Sequence, residues 1–112
     1  MLKDYKLYLS DILEARERIL EYTKGMTYKD FAKSNITVDA VVRNLEVIGE
    51  AARKLPSKIK AKSPEIEWRK IAGLRNILTH EYFGINTQIV WDVVENKLEP
   101  LSNTCKRLLE NP

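Results

Sequence analysis

The sequence is poor in the residues that build metal centres and covalent catalytic sites. Its 112 residues contain a single histidine, His80, and a single cysteine, Cys105. With no Cys pair and no Glu-x-x-His arrangement, the usual zinc and di-metal ligand sets are missing, and we expect no metal and no cofactor. A glycine-rich phosphate loop and a G-x-S-x-G nucleophile elbow are also absent. One cysteine cannot form an internal disulfide, so Cys105 is predicted to be a buried apolar filler.

Long hydrophobic runs are missing too. No apolar stretch approaches the roughly 20 residues that a membrane-spanning helix needs, and the N-terminal residues 1–4 lack a signal-peptide core. The composition is 44% hydrophobic and 31% charged with four glycines and four prolines, which is typical of a folded helical protein. We therefore expect one domain over residues 1–112, located in the cytoplasm and not bound to a membrane.

Apolar residues recur at helical spacing, and no alternating strand pattern is present. The N-terminal stripe predicts a long helix that ends at Gly25. Thr27 can cap a short turn through Asp30 with Phe31 turned inward, and Asn86-Thr87 can cap a later helix. The N-terminal stripe consists of Leu2, Tyr5, Leu9, Ile12, Arg16, Ile19 and Thr23.

The most regular stripe predicts a second long helix that ends before Pro56. Gly49 inside it is best explained by a close approach between helices. Ser63-Pro64-Glu65 predicts the start of the next helix, and Pro100 should kink or break the last one. We predict an all-α, up-and-down bundle of four or five helices. The stripe consists of Val38, Val41, Leu45, Ile48, Ala52 and Leu55.

Positive charge is concentrated in one stretch. Residues 53–70 hold seven basic and two acidic residues, a balance of +5, whereas the whole chain carries +3. Such a stretch attracts a polyanion in a salt-dependent way, although an ordinary solvated loop is the alternative. The candidate RNA-binding residues in it are Lys58, Lys60, Lys62, Arg69 and Lys70.

The lone histidine lies in a motif with a fixed cation. Arg75 precedes His80 by five positions, and Tyr82 follows it by two. Histidine exchanges protons near neutral pH, so this pair is a candidate for acid/base chemistry. On a straight helix Arg75 and His80 differ by about 140° in direction, so either the helix loosens or a second chain completes the site. Glu46 or Glu50 could pair with Arg75, which occupies a position of the apolar stripe.

The R-x4-H-x-Y spacing, together with residues 41–51 (VVRNLEVIGEA), resembles the HepT-like branch of the HEPN superfamily. With residues 91–101, the resemblance extends over nearly the whole chain. It implies a homodimeric, metal-independent endoribonuclease that is the toxin of a type VII-like toxin–antitoxin pair. The antitoxin partner would be a nucleotidyltransferase, because this chain lacks the Gly-Ser pair of that enzyme's signature.

The resemblance also implies roles for individual residues. His80 and Arg75 would cleave RNA, and Asn76 would orient the phosphate or hold the site across the dimer. Tyr82 would receive AMP from the antitoxin, which would silence the toxin; packing at the edge of the core is the alternative for this tyrosine. The competing function is a catalytically silent HEPN module that binds a nucleotide or docks the nucleotidyltransferase, with Arg75 and His80 in a structural polar network.

Overall fold

The computed structural model describes residues 4–74 and 84–110, which are mostly helical and contain no strand. The all-α prediction is therefore confirmed for these ranges. None of the helices described is long and apolar enough to cross a membrane. The helical elements are α1 (Tyr5–Thr23), α2 (Tyr28–Lys33), α3 (Asn35–Lys54), α4 (Ser57–Lys60), α5 (Trp68–Ala72), α6 (Thr87–Asp92), a π-helical segment (Val93–Lys97) and α7 (Leu98–Glu110).

The bundle is built on the contact between α1 and α3, its two longest helices. The C-terminal helix α7 also packs against α1, and α5 packs against α3. The predicted stripe of α3 is buried along its whole length, which explains why this helix lies at the centre. The side chains with the largest fully buried volumes are Phe31, Leu9, Ile12, Ile19, Leu45, Ile48, Leu98, Leu101, Val41, Val90 and Cys105.

The connection between α1 and α3 follows the sequence pattern. Gly25 has φ 75°, a left-handed conformation that ends α1. The Thr27 hydroxyl accepts the Asp30 N–H at 3.1 Å, and the Asp30 carboxylate accepts the Thr27 N–H at 3.0 Å. The Thr27 N–H, followed by its hydroxyl, holds the pKa of Asp30 below its usual value. Phe31 is fully buried with its ring 5.1 Å from that of Trp91, so the short helix α2 plugs the core.

Gly49 lies at a close helix–helix approach, as predicted. A Cβ atom at this position would lie 3.1 Å from the carbonyl oxygen of Ile71 and 3.5 Å from that of Ala72. Both contacts are with backbone atoms, which cannot swing away as a side chain can. The absence of a side chain at Gly49 therefore allows α5 to lie directly on α3.

The prediction that a helix starts at Ser63 is wrong, because α5 begins at Trp68. The Ser63 hydroxyl does not cap a helix but accepts a hydrogen bond from the Arg107 guanidinium at 2.6 Å. The backbone instead forms turns, in which the Ile66 N–H donates to the Ser63 carbonyl and the Trp68 N–H donates to the Ile66 carbonyl. The Ser63 hydroxyl, which the local pattern predicts to cap a helix, thus forms a tertiary hydrogen bond with α7 instead.

The chain is not broken at Pro100. It is helical from Thr87 to Glu110, and Asn86 caps the first turn as predicted by accepting two backbone N–H groups at 3.0 and 3.1 Å. The register changes to a π-helix over Val93–Lys97, just before the proline. Proline cannot donate the N–H that an α-helix requires and crowds the preceding turn, so a widened turn at this place accommodates it.

Replacing Gly49 with valine should destabilise the protein. The new side chain would overpack the α3–α5 contact, and such overpacking typically costs about 1–3 kcal/mol. Urea denaturation at a fixed protein concentration measures the change in the free energy of unfolding. The matched control is Asp39→Val, at an exposed position of the same helix. At that position only the small difference in helix propensity between Asp and Val should change the free energy of unfolding. Equal losses in the two variants would contradict the close-approach explanation.

Candidate nucleic-acid interface

The structure describes the chain before and after the R-x4-H-x-Y motif and not the motif itself. Arg75, Asn76, His80 and Tyr82 lie outside the described residues, so their roles stay predictions. The first described range ends at Leu74, which is 4% exposed. A Cβ atom added to Gly49 would lie 3.7 Å from the Cβ atom of Leu74. The residue that precedes the motif is therefore buried beside the middle of α3.

The two candidate supporting carboxylates lie on that part of α3. Glu50 accepts hydrogen bonds from Arg53 at 2.6 and 3.3 Å and forms an ion pair with Lys54 at 3.6 Å. The Arg53 hydrogen bonds are the main reason that the pKa of Glu50 is lowered. Glu46 and Glu50 both line a polar groove of about 430 Å³ between α1 and α3. The other residues of this groove are Tyr8, Asp11, Arg43, Val47, Ala51 and Lys54.

The basic stretch is more ordered than a loop, because residues 57–60 form helix α4. Lys60 and Arg69 come together at one depression of the surface. Lys70 instead forms an ion pair with Glu67 at 2.9 Å. Lys58 and Lys62 are exposed and do not line this depression. The five candidate RNA-binding residues therefore do not form a single site.

A hydrogen-bonded cluster fixes the backbone of the basic stretch. The Trp68 indole N–H is shared between the carbonyl oxygens of Lys60, at 3.1 Å, and Ser63, at 3.0 Å. Ser63 is fully buried, and its hydroxyl accepts a hydrogen bond from Arg107, which also pairs with Glu65 at 3.1 Å. The pKa of Glu65 is lowered, first by its own backbone N–H and then by Arg107. Sequence reasoning missed Arg107, since no local pattern connects positions 44 residues apart.

Two candidate chemistries find no support in the described ranges. No group of three or more His, Cys, Asp or Glu side chains there could hold a metal ion. Cys105 is fully buried, as predicted, and burial raises the pKa of its thiol to about 12. A thiol with so high a pKa supplies almost no thiolate near neutral pH and is a poor nucleophile.

The all-α fold of the described ranges agrees with the HEPN resemblance noted in the sequence. The model of the family described as Ribonuclease HepT-like matches residues 12–108. The chain therefore belongs to the ribonuclease HepT-like family.

Curated relatives are similar over most of their length. A "Putative RNase" of Methanocaldococcus jannaschii is 47% identical over 96 residues, which cover 86% of this chain and 79% of the relative. A "Putative RNase" of Caldanaerobacter subterraneus is 38% identical over 109 residues, 97% of each chain. A "Probable ribonuclease HepT" of Thermococcus cleftensis is 39% identical over 108 residues, 96% of this chain and 98% of the relative. No solved structure matches the chain.

Replacing Trp68 with phenylalanine should loosen the basic stretch. The variant keeps an aromatic ring but leaves the carbonyl groups of Lys60 and Ser63 without their shared donor, which should cost about 1–2 kcal/mol. We expect faster amide hydrogen exchange across residues 57–63. Trp91→Phe is the matched control, because the Trp91 ring packs against Phe31 but its indole makes no hydrogen bond to the described residues. Unchanged exchange in Trp68→Phe would contradict the role assigned to the indole.

Proposed function

We propose that this chain is a metal-independent endoribonuclease that uses Arg75 and His80 in a cleft between two copies of the chain. The observation that carries the proposal is the R-x4-H-x-Y motif in a chain of the ribonuclease HepT-like family. The depression that Lys60 and Arg69 line supports an RNA substrate, since these cations shortly precede Arg75 in the sequence. RNA of the cytoplasm is the substrate that this chemistry and these charges fit best.

The proposed reaction uses a nucleophile that RNA itself carries. Neutral His80 takes the proton of a ribose 2′-hydroxyl, and the 2′-oxygen attacks the adjacent phosphorus. The bond from phosphorus to the 5′-oxygen breaks, the leaving oxygen takes up a proton, and a 2′,3′-cyclic phosphate remains. The planar fork of donors and permanent charge of Arg75 neutralise the phosphoryl oxygens in the transition state. Asn76 orients the phosphate or holds the site across the dimer.

The positions of Glu46 and Glu50 along α3 support a carboxylate partner for Arg75. Leu74 packs at Gly49, and Glu46 and Glu50 flank that glycine in the same helix. Arg75 follows immediately, so one of these two carboxylates is the group we propose to position its guanidinium. A buried or half-buried guanidinium needs such a partner, because its desolvation is otherwise costly.

A homodimer would allow Arg75 and His80 to act on one phosphate although their side chains point in different directions on a straight helix. On one straight helix the side chains of Arg75 and His80 point about 140° apart. In the proposed dimer, the motifs of both copies line one cleft, so that the cation and the base act on the same phosphate. Dimer formation would also cover the polar residues of the stripe that contains Arg75.

We further propose that the chain is the toxin of a type VII-like toxin–antitoxin pair whose antitoxin is a nucleotidyltransferase. Transfer of AMP to the Tyr82 hydroxyl would place phosphate charge and bulk beside Arg75 and His80. RNA would then be repelled and its place occupied. The tyrosine would serve as the site of control and would not be a catalyst, since a phenol with a pKa near 10 is a weak base at neutral pH.

Arg75→Ala and His80→Ala should each abolish RNA cleavage. Loss of a general base typically costs about 10²–10⁴-fold in rate, and loss of the cation removes the charge stabilisation of the transition state. Cleavage of total RNA by purified protein, in the presence of a chelator, measures the effect. Lys29→Ala is the control, because Lys29 is exposed on α2. Light scattering should show a dimer for the parent and all three variants.

Two results would contradict this proposal. If His80→Ala cleaves as well as the parent, His80 is not the base. If the parent leaves RNA intact at high protein concentration, the chain is a silent HEPN module that binds a nucleotide or docks the nucleotidyltransferase. A monomeric parent would exclude the shared cleft.

Tyr82→Phe should retain cleavage but escape neutralisation. The phenylalanine ring preserves the packing of tyrosine and removes the oxygen that would accept AMP. Co-expression with the nucleotidyltransferase, followed by mass spectrometry, should find added AMP on Tyr82 of the parent and none on the variant. An unmodified Tyr82 in a fully neutralised complex would show instead that the antitoxin acts by occlusion.

A further inference from the structure

A shallow depression of about 450 Å³ lies where the end of α3 meets α4 and α5. Arg53, Lys60 and Arg69 line it, and Trp68 lines it as well. Among the described residues, no carboxylate lines it. Its last lining residue, Ala72, precedes Arg75 by three positions. We call this feature the cationic depression.

The three cations of the depression are available to a ligand. Lys60 and Arg69 form no ion pair within residues 4–74 and 84–110. Arg53 donates two N–H groups to Glu50, and its guanidinium has five donors in all, so further donors remain. Both partners of that pair are more than half exposed, and solvent screening makes such a pair weak.

The backbone around the depression is already fixed. The Trp68 indole N–H holds the carbonyl of Lys60, and Arg69 follows Trp68 in α5. Lys60 and Arg69 are therefore anchored relative to each other through one hydrogen bond, although they belong to different helices. A binding site that is ordered before the ligand arrives loses less entropy when the ligand binds.

The neighbouring lysines lack these properties. Lys70 is paired with Glu67 and lines a different, largely apolar groove, which both Glu65 and Glu67 also border. Lys58 and Lys62 are exposed outside the depression. Within residues 4–74 and 84–110, by contrast, Arg53, Lys60 and Arg69 line one depression to which no described carboxylate contributes.

We propose that the cationic depression binds one backbone phosphate of an RNA strand, next to the phosphate that is cleaved. This inference rests on the proposed ribonuclease function and adds a second, non-catalytic contact to it. A phosphate contact of this kind positions a strand without reading its sequence. Its proximity in sequence to Arg75 suits a role in delivering the strand to the catalytic motif.

Binding of a labelled single-stranded RNA tests the proposal, with every variant made in the His80→Ala background so that the RNA stays intact. Arg69→Glu and Lys60→Glu should each raise Kd about tenfold, as expected for loss of a charge-assisted hydrogen bond. Each should also lower the slope of log K against log salt by about 0.7, the value for one phosphate contact on a single strand. Lys70→Glu is the matched control, with the same charge change one residue further on and little effect expected.

Cleavage assays in the His80 parent separate this inference from the function on which it rests. Arg69→Glu should slow cleavage of a long RNA and leave cleavage of a dinucleoside monophosphate unchanged, since the latter carries only the scissile phosphate. If the parent cleaves neither substrate, the ribonuclease function is wrong, whatever the binding results. If the parent cleaves but Arg69→Glu and Lys70→Glu weaken RNA binding equally, the cationic depression is not a site. A changed oligomeric state in Arg69→Glu and Lys60→Glu alone would assign the depression to a contact between copies and overturn the proposal.

Discussion

The contact of α5 with α3 at Gly49 determines where the segment that leads to the R-x4-H-x-Y motif lies. Because no side chain is present at Gly49, the carbonyl groups of Ile71 and Ala72 can approach α3 directly. Two features then follow from this approach: the Trp68 indole reaches the end of α4, and Leu74, the residue before the motif, is buried. A side chain at Gly49 would displace both together, since packed interiors deform poorly.

Much of the fold could be predicted because its signals are local. The stripe of α3, the capping box at Thr27, the left-handed Gly25 and the cap at Asn86 each depend on residues within a few positions of one another. The role of Gly49 could also be predicted from local sequence. A glycine in the middle of a strongly patterned helix destabilises that helix, so its presence indicates a close approach of another segment. Hydrophobic periodicity decides which face is buried, and these local groups decide where each helix begins and ends.

The errors have two physical causes: a distant partner that competes for a local group, and an uncommon helical register. Ser63 has a good capping side chain, yet its hydroxyl accepts a hydrogen bond from Arg107 on the C-terminal helix α7. Pro100 does not break its helix, because a π-helical segment just before it accommodates the ring. In the basic stretch, charge counts alone do not distinguish Arg69 from Lys70. Glu67 lies three residues before Lys70 and pairs with it, whereas Arg69 lines the cationic depression.

The arrangement also explains how so small a chain with one histidine could act on RNA. The substrate supplies its own nucleophile and its own charge, so the protein needs a base, a cation at the transition state and a surface that holds the strand. The net charge of +3 is too small to provide that surface by itself, but the excess is concentrated where α3, α4 and α5 meet. Screening at physiological salt limits such an attraction to roughly 8 Å, so cations must lie close to the path of the strand to be effective. The bundle places three of them around one depression and anchors Lys60 through the Trp68 indole, a hydrogen bond that has no role in the chemistry itself.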